Sequence, residues 1–447
     1  MSEIALAPDL EQHALQMIDQ ALAHARKGGA DQAEVGVSQD SGLSVTARQR
    51  EVETIEFQND RGFGVTVYVG HCKGSASTSD YSQDAIIAAV DKALYIARQT
   101  SADEFAGLAD PDTLASTIPD LDLDHDWSID VDDARRISLE TEAAALDADS
   151  RISNSEGASV NTHRSVSAYG NSHGFRGTQR RSSHSISCAV IAGAGDGMQR
   201  DYYYTSARNP DRMMSPTQVG TRAADQVVRR LEPRKIATGS APVVLRADVA
   251  RGLIGHLLSA ISGGAQYRRS SFLLDAAGDA VMPAAVTIDE RPHLPQGPGS
   301  AAYDNEGVAT QPRAIVQNGV LQGYVLSSYS ARRLGMTTTG NAGGVHNAIV
   351  SSTAGDLAAL LSDMDRGLLI TELMGQGVNQ VTGDYSRGAA GFWVENGRIA
   401  YPVSEITVAG NLKNMLLGIA AIGSDVDERG GVQTGSILID EMTIAGS

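Results

Sequence analysis

Hydrophobic residues in the first hundred positions recur with two different periods. Over 9–27 they follow the 3.6-residue period of an amphipathic helix, which the Gly28-Gly29 pair ends. From 33 to 77 apolar and polar residues alternate, with a turn signal at 59–62, and this predicts an antiparallel meander. Helical periodicity returns over 83–99. The pattern therefore predicts a compact α+β unit of a helix, a meander and a second helix.

The following segment predicts a second, central α+β domain. A helical pattern runs from 131 to about 149, and the polar, serine-rich stretch 151–206 has the composition of several strands. Another helix begins at Ser215-Pro216 and ends at Pro233. Turn signals divide the strand region at three places, which are 155–157, 171–172 and 195–197.

A short apolar helix is predicted at the start of the stretch 248–274. Asp248 can accept hydrogen bonds from the free amides of a first helical turn, and leucine and isoleucine then recur at helical spacing. Gly263-Gly264 predicts a left-handed exit from this helix. The helix contains one imidazole, His256, which makes it the first place to look for metal chemistry.

Two Asn-Gly pairs indicate hairpins in the C-terminal half. Asn318-Gly319 and Asn396-Gly397 each lie between hydrophobic runs, which is the strongest short-range hairpin signal. A buried helix is predicted over 411–422, and alternating strands follow. The C-terminal region is thus predicted to be β-rich, with an antiparallel sheet or a partly closed barrel. The expected fold class is α+β, with domains at 1–110, 125–234 and 239–447.

The charge of the chain argues against two classes of partner. With 36 Lys and Arg against 54 Asp and Glu, the formal net charge is −18. A surface this acidic repels phosphate backbones and anionic lipid, so neither direct nucleic-acid binding nor membrane association is expected. No run approaches the ~20 apolar residues that span a bilayer, and no signal peptide is expected. Cys72 and Cys188 offer no disulfide framework, so we expect a reducing, cytoplasmic location.

The sequence lacks the motifs of a zincin helix and of a phosphate-binding loop. None of the ten histidines is followed by Glu, as a zincin helix requires, and no Gly-Lys-Ser/Thr loop occurs. His256 is interpreted as a core or interface imidazole, with a ligand role as the alternative. His346, in a glycine-rich run, belongs either to a structural loop or to a contact with a bound peptide or partner. Arg268 and Arg269 are either solvated or paired, or they bind a substrate carboxylate.

Five long stretches in the C-terminal half resemble a known family. They are GLIGHLLSAISGGAQYRRSSFLLD, PHLPQGPGSAAYDNEGVAT, NGVLQGYVLSSYSARRLGM, GNAGGVHN and ELMGQGVNQVTGDYSRGAAGFWVENGRIAYPVSEITVAGNL. Together they resemble the TldD/PmbA metallopeptidase family, most closely its PmbA branch, which is also called TldE. The resemblance extends over nearly the whole chain and implies three domains.

The resemblance also bears on metal binding. In the TldD branch the corresponding helix carries His-Glu-x-x-x-His, and a cysteine near the C-terminus is a further zinc ligand. This chain has Arg251-Gly252-Leu253-Ile254-Gly255-His256 in that window and no cysteine after Cys188. Arg251 replaces the first ligand, Gly252 replaces the general base, and only His256 matches. Because a guanidinium keeps its proton, we expect no zinc, no other cofactor and no catalytic residue in this chain.

In functional terms the resemblance implies the non-metal subunit of a TldD–TldE heterodimer, whose zinc-bearing partner hydrolyses peptides in a shared chamber. The candidate contacts to peptide or partner are Arg268, Arg269, His293 and His346. When the chain is expressed alone, we expect a homodimer formed through the same face.

Two other interpretations stay open. One is a self-sufficient peptidase or amidase with scattered zinc ligands, which would be His256, His293 and His346 with a carboxylate such as Glu290. The other is an interaction protein with no link to proteolysis.

Overall fold

The computed structural model describes residues 9–446, and its N-terminal half is organised around one long sheet. The first elements are α1 (Leu10–Lys27), β1 (Gln32–Arg48), β2 (Glu51–Val69), β3 (Cys72–Thr78) and α2 (Gln83–Gln99). They are followed by α3 (Val131–Leu146), β4 (Ile152–Asn171), β5 (Arg176–Ala192), β6 (Gln199–Ala207) and α4 (Pro216–Arg229). The six strands are antiparallel and lie in the order β3-β2-β1-β4-β5-β6. The predicted helix–meander–helix unit is confirmed, and its strands continue directly into those of the central region.

Both helix pairs pack against the same face of this sheet. Val35 and Val37 of β1 are buried in a core with α1 and α2, and Leu43 and Val45 of the same strand are buried in a core with α3 and α4. Side chains two residues apart along a strand point to one face. The two helix pairs therefore lie side by side along the long strands.

The β1–β2 hairpin turns at a place that the sequence pattern does not predict. Residues 59–62 lie inside β2, and the chain reverses instead at Gln49 and Arg50, whose φ angles are 53° and 66°. The two amides donate to the carboxylate of buried Glu142 at 2.8 and 2.7 Å. Because a carboxylate on α3 stabilises this turn, the turn needs no local Gly or Asn, and the predicted position is wrong.

Of the three turn signals predicted in 151–206, two are confirmed. Residues 171–172 lie at the β4–β5 connection, and 195–197 form a short 3₁₀ turn between β5 and β6. The signal at 155–157 is wrong as a turn, because these residues form a bulge within β4. Gly157 has a φ of 117°, which accounts for the glycine at this position.

The C-terminal region contains a closed barrel. Its elements are β7 (Gly239–Leu245), α5 (Ala247–Ala260), α6 (Gly263–Tyr267), β8 (Ile288–Glu290), β9 (Arg313–Gln317), β10 (Val320–Leu321), α7 (Ser328–Leu334), β11 (Ala348–Val350), α8 (Leu357–Met364), β12 (Gly367–Met374), β13 (Asp384–Glu395), β14 (Arg398–Asn411), α9 (Leu412–Leu417), β15 (Ile419–Ile422), β16 (Val432–Gln433) and β17 (Ile437–Ala445). One sheet has the order β14-β13-β12-β7-β17-β15, and an additional β14–β17 pairing closes five of its strands. β7 and β12 run parallel, and the other neighbours in this sheet are antiparallel. The predicted β-rich barrel is confirmed.

Both Asn-Gly hairpins are also confirmed. Asn318-Gly319 joins β9 to β10, and Asn396-Gly397 joins β13 to β14, with positive φ at all four residues. The first hairpin belongs to a second sheet of five short strands, in the order β10-β9-β8-β11-β16. The helix predicted over 411–422 is shorter than expected, since its second half forms β15.

Helix α5 follows β7 directly and packs in the largest core. Leu253, Ile254 and Leu257 are buried there. The predicted cap is wrong, because the carboxylate of Asp248 pairs with Arg246 through two 2.7 Å contacts instead of accepting helix amides. Gly263-Gly264 is not a left-handed exit but begins α6. A Cβ at Gly263 would lie 2.3 Å from the hydroxyl of Ser330, so close packing against α7 favours glycine there.

No helix among residues 9–446 is long and apolar enough to cross a membrane.

Candidate functional site

The candidate site begins at the first turns of α5, where Arg251 and Gly252 lie. The guanidinium of Arg251 donates from Nη1 to the hydroxyl of Tyr204 at 3.3 Å, and the same atom lies 3.9 Å from Oδ2 of Asp427. Gly252 contributes no side chain, and a Cβ built there would meet no described atom within 4 Å. The positive charge of Arg251 is therefore directed toward an aromatic hydroxyl and an acid from two other parts of the chain.

His256 lies further along α5 in different surroundings. Its Nδ1 is 2.8 Å from Nε2 of Gln380, and its ring meets the ring of Tyr385 edge-on at 6.1 Å between centroids. Burial lowers the pKa of His256, and the positive charge of Arg387 lowers it further. The imidazole is thus neutral at physiological pH and is bonded to an amide. This environment supports the interpretation of His256 as a core or interface imidazole.

The donor set at these positions does not suit zinc. A tetrahedral zinc site needs about three or four imidazole, thiolate or carboxylate ligands around one point. Positions 251 and 252 supply a guanidinium and no side chain, while His256 is bonded to Gln380. Over residues 9–446, no three His, Cys, Asp or Glu side chains gather so that they could hold a metal ion. The residues at positions 251, 252 and 256 therefore do not fit a zinc ion.

Asp427 is the centre of an ion-pair cluster at this end of α5. Its side chain is 6% exposed and binds Arg429 in a bidentate manner, at 2.8 and 2.9 Å. Arg429 also donates to the carbonyl of Tyr204 at 3.0 Å and lies over its ring, 4.3 Å from the centroid. Burial alone would raise the pKa of Asp427, but the hydrogen bonds and charge of Arg429, with the charge of Arg251, bring it below its usual value. Asp427 therefore remains ionised.

A large cleft opens beside this cluster. Its volume is about 1170 Å³, and β6, α4 and the start of α5 form part of its wall. Residues of β4 and β5, among them Arg181, and the loop segments 294–298 and 425–429 also line the cleft. Tyr204 and Asp427, the two residues that contact Arg251, both line this cleft. The beginning of α5 is thus next to a space large enough for a peptide segment.

A second cluster surrounds Glu290 at some distance along the chain from α5. The carboxylate accepts hydrogen bonds from Arg313 Nε at 2.8 Å, from Asn341 Nδ2 at 2.7 Å and from the amide of His346 at 2.7 Å. Glu290 is 2% exposed, and both of its oxygens are used. The carboxylate accordingly holds the loop that carries His346, and this fixes the β8–β11 region.

The histidines proposed as scattered zinc ligands have separate surroundings. Nε2 of His293 is 2.9 Å from the hydroxyl of Thr310. Burial lowers the pKa of His346, and its Nε2 is buried without a hydrogen-bond partner among the described residues. The structure therefore does not bring His256, His293, His346 and Glu290 together as a metal cluster.

Arg268 and Arg269 lie on the surface beyond α6. The guanidinium of Arg268 covers the ring of Tyr267 at 5.1 Å and donates to its hydroxyl at 2.9 Å. Arg269 lies 3.5 Å from the exposed carboxylate of Asp275. Neither arginine is among the residues that line the cleft.

Three residues of the site were not singled out from the sequence, namely Tyr204, Asp427 and Arg429. The run of three tyrosines at 202–204 and the charged run DVDER at 425–429 are unusual, and either could have directed attention to this region. Neither run indicates which helix it meets.

Comparison with known proteins defines the class to which this fold belongs. Three family models match in order: PmbA/TldA metallopeptidase domain 1 over residues 33–97, the central domain over 124–231 and the C-terminal domain over 238–446. The chain is therefore built as a three-part protein of the metallopeptidase-like class.

Full-length relatives narrow this class to one branch. A metalloprotease PmbA homolog from Haemophilus influenzae is 52% identical over 99% of this chain and 98% of its own. The metalloprotease PmbA of Escherichia coli O157:H7 is 49% identical over 94% of this chain and 93% of its own. The chain belongs to the PmbA/TldD metallopeptidase family, and it is a PmbA/TldE-like member.

Solved structures share the whole fold. A putative modulator of DNA gyrase from Bacteroides thetaiotaomicron has a TM-score of 0.92 at 27% identity, and the match covers 97% of this chain and 99% of that one. TldE from Thermococcus kodakarensis has a TM-score of 0.81 at 18% identity, over 96% of this chain and 100% of that one. The second likeness supports the fold alone, because the sequence identity is low.

Proposed function

We propose that this chain is the non-catalytic subunit of a cytoplasmic, peptide-processing complex whose zinc-bearing subunit belongs to the TldD branch. In this proposal the chain shapes the chamber in which its partner hydrolyses peptides. The observation that carries the proposal is the position of Arg251 on α5, hydrogen-bonded to Tyr204 and facing Asp427.

Electrostatics support a silent role for α5. A guanidinium stays protonated at any accessible pH, so Arg251 is a permanent positive charge at the place where relatives of the TldD branch are expected to bind a dication. Asp427, which could otherwise attract a cation, is already neutralised by Arg429 and Arg251. The loss of the ligands and the added positive charge both disfavour zinc binding at this place.

The cleft supports a role in peptide handling. It combines three tyrosines with several arginines, so it offers both apolar surface and hydrogen-bond donors to a peptide chain. Relatives carry the name metalloprotease, which is consistent with a peptide as the ligand of this cleft.

The proposal is tested by reconstitution. The purified chain is incubated with excess zinc, freed of unbound metal and analysed for zinc, both alone and after assembly with a TldD-branch homologue. We expect substoichiometric zinc in the chain alone, about one zinc per heterodimer, and hydrolysis of an unstructured peptide only when both subunits are present.

A matched variant sharpens this test. His256→Gln in this chain should leave hydrolysis by the complex within about twofold of the unaltered rate, because His256 has no role as a ligand. Removal of the partner's own zinc-binding histidines should abolish hydrolysis. Stoichiometric zinc in the isolated chain, together with chelator-sensitive hydrolysis without a partner, would overturn the proposal and favour the self-sufficient enzyme.

We further propose that the isolated chain forms a homodimer. A subunit that pairs with a structurally related partner can use the same surface against a second copy of itself. Size-exclusion chromatography with light scattering should give twice the 46.9 kDa mass of the chain. A monomer at micromolar concentration contradicts this part of the proposal, while the reconstitution result decides the rest.

A further inference from the structure

The cleft carries positive charge although the protein is acidic. Its lining includes seven arginines and five acidic residues, whereas the whole chain has a formal charge of −18. Arg246 and Arg429 are paired with Asp248 and Asp427. Five lining arginines have no carboxylate within ion-pair distance in the part of the chain that the structure describes, and they are Arg181, Arg208, Arg212, Arg222 and Arg229. An unneutralised group of this kind attracts anions to the cleft.

Arg181 and Arg208 are the partly buried members of this group, and they lie together. Nε and Nη2 of Arg208 donate to the carbonyls of Gly297 and Pro298 at 3.1 and 2.8 Å, and Nη2 of Arg181 donates to the carbonyl of Ser300 at 3.2 Å. Nη1 of Arg208 also donates to the carbonyl of Ser182 at 3.0 Å, and Ser182 directly follows Arg181 in the chain. The two guanidiniums are thus placed on one short backbone segment.

The contacts of these arginines leave their charge uncompensated. Burial lowers the pKa of Arg181, and burial with the charge of Arg181 lowers the pKa of Arg208 to about 10, so both remain charged at neutral pH. Three N–H groups of Arg208 and two of Arg181 donate to neutral oxygens within residues 9–446. A guanidinium has five N–H groups, and a partly buried charge without a counter-ion is unfavourable. A bound anion would therefore be stabilised by both charge and free donors.

We infer that Arg181 and Arg208 bind the C-terminal carboxylate of a peptide in this cleft. The inference rests on the proposed peptide-handling function and adds to it the end of the peptide that is recognised. Planar guanidinium groups match the two oxygens of a carboxylate. Tyr202 and Met214 line the same cleft and offer apolar surface to the neighbouring peptide side chains, which inorganic phosphate would not need.

Calorimetry on the unaltered chain provides the primary test. The probes are acetyl-Ala-Ala-Ala with a free C-terminal carboxylate, the same peptide with a C-terminal amide, and inorganic phosphate. We expect the acid to bind about tenfold more tightly than the amide, as charge-assisted hydrogen bonds predict. Equal affinity of acid and amide overturns the inference, and so does phosphate binding without discrimination between the two peptides.

Two variants locate the effect. Arg208→Lys keeps the charge but removes the planar fork, and Arg181→Gln removes the charge. Each should reduce the acid-to-amide ratio to within about twofold. The control is Arg398→Gln, at an exposed arginine of β14 that does not line the cleft, and it should retain the full ratio. Unchanged discrimination in both cleft variants overturns the assignment.

These outcomes are separable from the proposed function. If a variant fails to fold, the comparison of acid and amide on the unaltered chain still decides the inference. Binding is measured on this chain alone, whereas the proposed function depends on hydrolysis by the reconstituted complex. The reconstituted complex could hydrolyse peptides while this chain binds acid and amide equally well. That result would support the proposed function and contradict only the inferred carboxylate site.

Discussion

Two carboxylate–arginine clusters of this protein have similar chemistry but different surroundings. Glu290 is enclosed, and its oxygens are fully used by Arg313, Asn341 and the amide of His346. Asp427 is nearly as inaccessible, but Arg429 and the acid itself form part of the wall of the large cleft. The first cluster can only stabilise the fold, whereas the second can also meet a ligand. The position of a charged group relative to an open space, and not its chemical type, separates the two roles.

The enclosed cluster should show the largest effect on stability. Glu290→Gln leaves Arg313 without its partner in a buried setting, so the free energy of unfolding should fall by about 3–5 kcal/mol. Urea denaturation followed by circular dichroism measures this change. Glu441→Gln, at an exposed acid of β17, is the control and should change stability by less than about 0.5 kcal/mol. A loss below about 1 kcal/mol at Glu290 would remove the distinction between the clusters.

Substitution of the carboxylate in the cluster beside the cleft should lower the stability of the protein less than substitution of Glu290 does. Asp427→Asn removes a bidentate partner of Arg429, but this arginine retains the carbonyl and the ring of Tyr204. The expected loss is about 1.5–3 kcal/mol, the size of a hydrogen bond to a charged group. Measurement under the same urea conditions allows direct comparison with Glu290→Gln. A larger loss at Asp427 than at Glu290 would reverse the ranking.

The same acid predicts a pH dependence. The folded-state pKa of Asp427 lies below its usual value, so its ionisation stabilises the folded protein above about pH 4 and this contribution is lost as the pH falls through the folded-state pKa. The stability difference between the unaltered chain and Asp427→Asn should therefore shrink below about pH 4. Denaturation midpoints of both proteins across pH 3–7 test this, and a constant difference contradicts it.

The smallest effect is expected at Arg251. Its side chain is 36% exposed and lies 3.9 Å from Asp427, which is the geometry of a weak, solvent-screened pair. Arg251→Met should change the free energy of unfolding by less than about 1 kcal/mol. Thermal unfolding in low and high salt measures this change. Arg429→Met is the comparison variant, and it should lose more stability than Arg251→Met. A large loss of stability in Arg251→Met would contradict this expectation. It would indicate that Arg251 stabilises the fold, in addition to placing a positive charge at this position.

Much of the fold follows from local patterns, and the candidate site shows where such patterns end. Alternation predicts the meander, and the two Asn-Gly pairs predict their hairpins because each signal is contained in a few neighbouring residues. The hydrogen bond between Arg429 and Tyr204 joins residues 225 positions apart. No periodicity encodes such a meeting, so the cluster beside the cleft became visible only in the folded chain.

The positions that correspond to the zinc motif also show that a sequence pattern does not predict long-range contacts. The resemblance to the TldD/PmbA family identifies Arg251, Gly252 and His256 as places to examine, but not what each of them contacts. The different environments of Arg251 and His256 depend on residues from β6, from the 425–429 loop and from the β12–β13 connection. Long-range topology therefore determines which sequence candidates share a site.

The pairing of β1 with β4 has a consequence for how this protein is made. The register places Glu34 opposite Asn171, and the tip of the β1–β2 hairpin rests on Glu142. During synthesis, one edge of β1 stays uncovered until about 170 residues have left the ribosome. For that interval the nascent chain displays a long unpaired strand edge, which is the kind of surface that chaperones protect from aggregation.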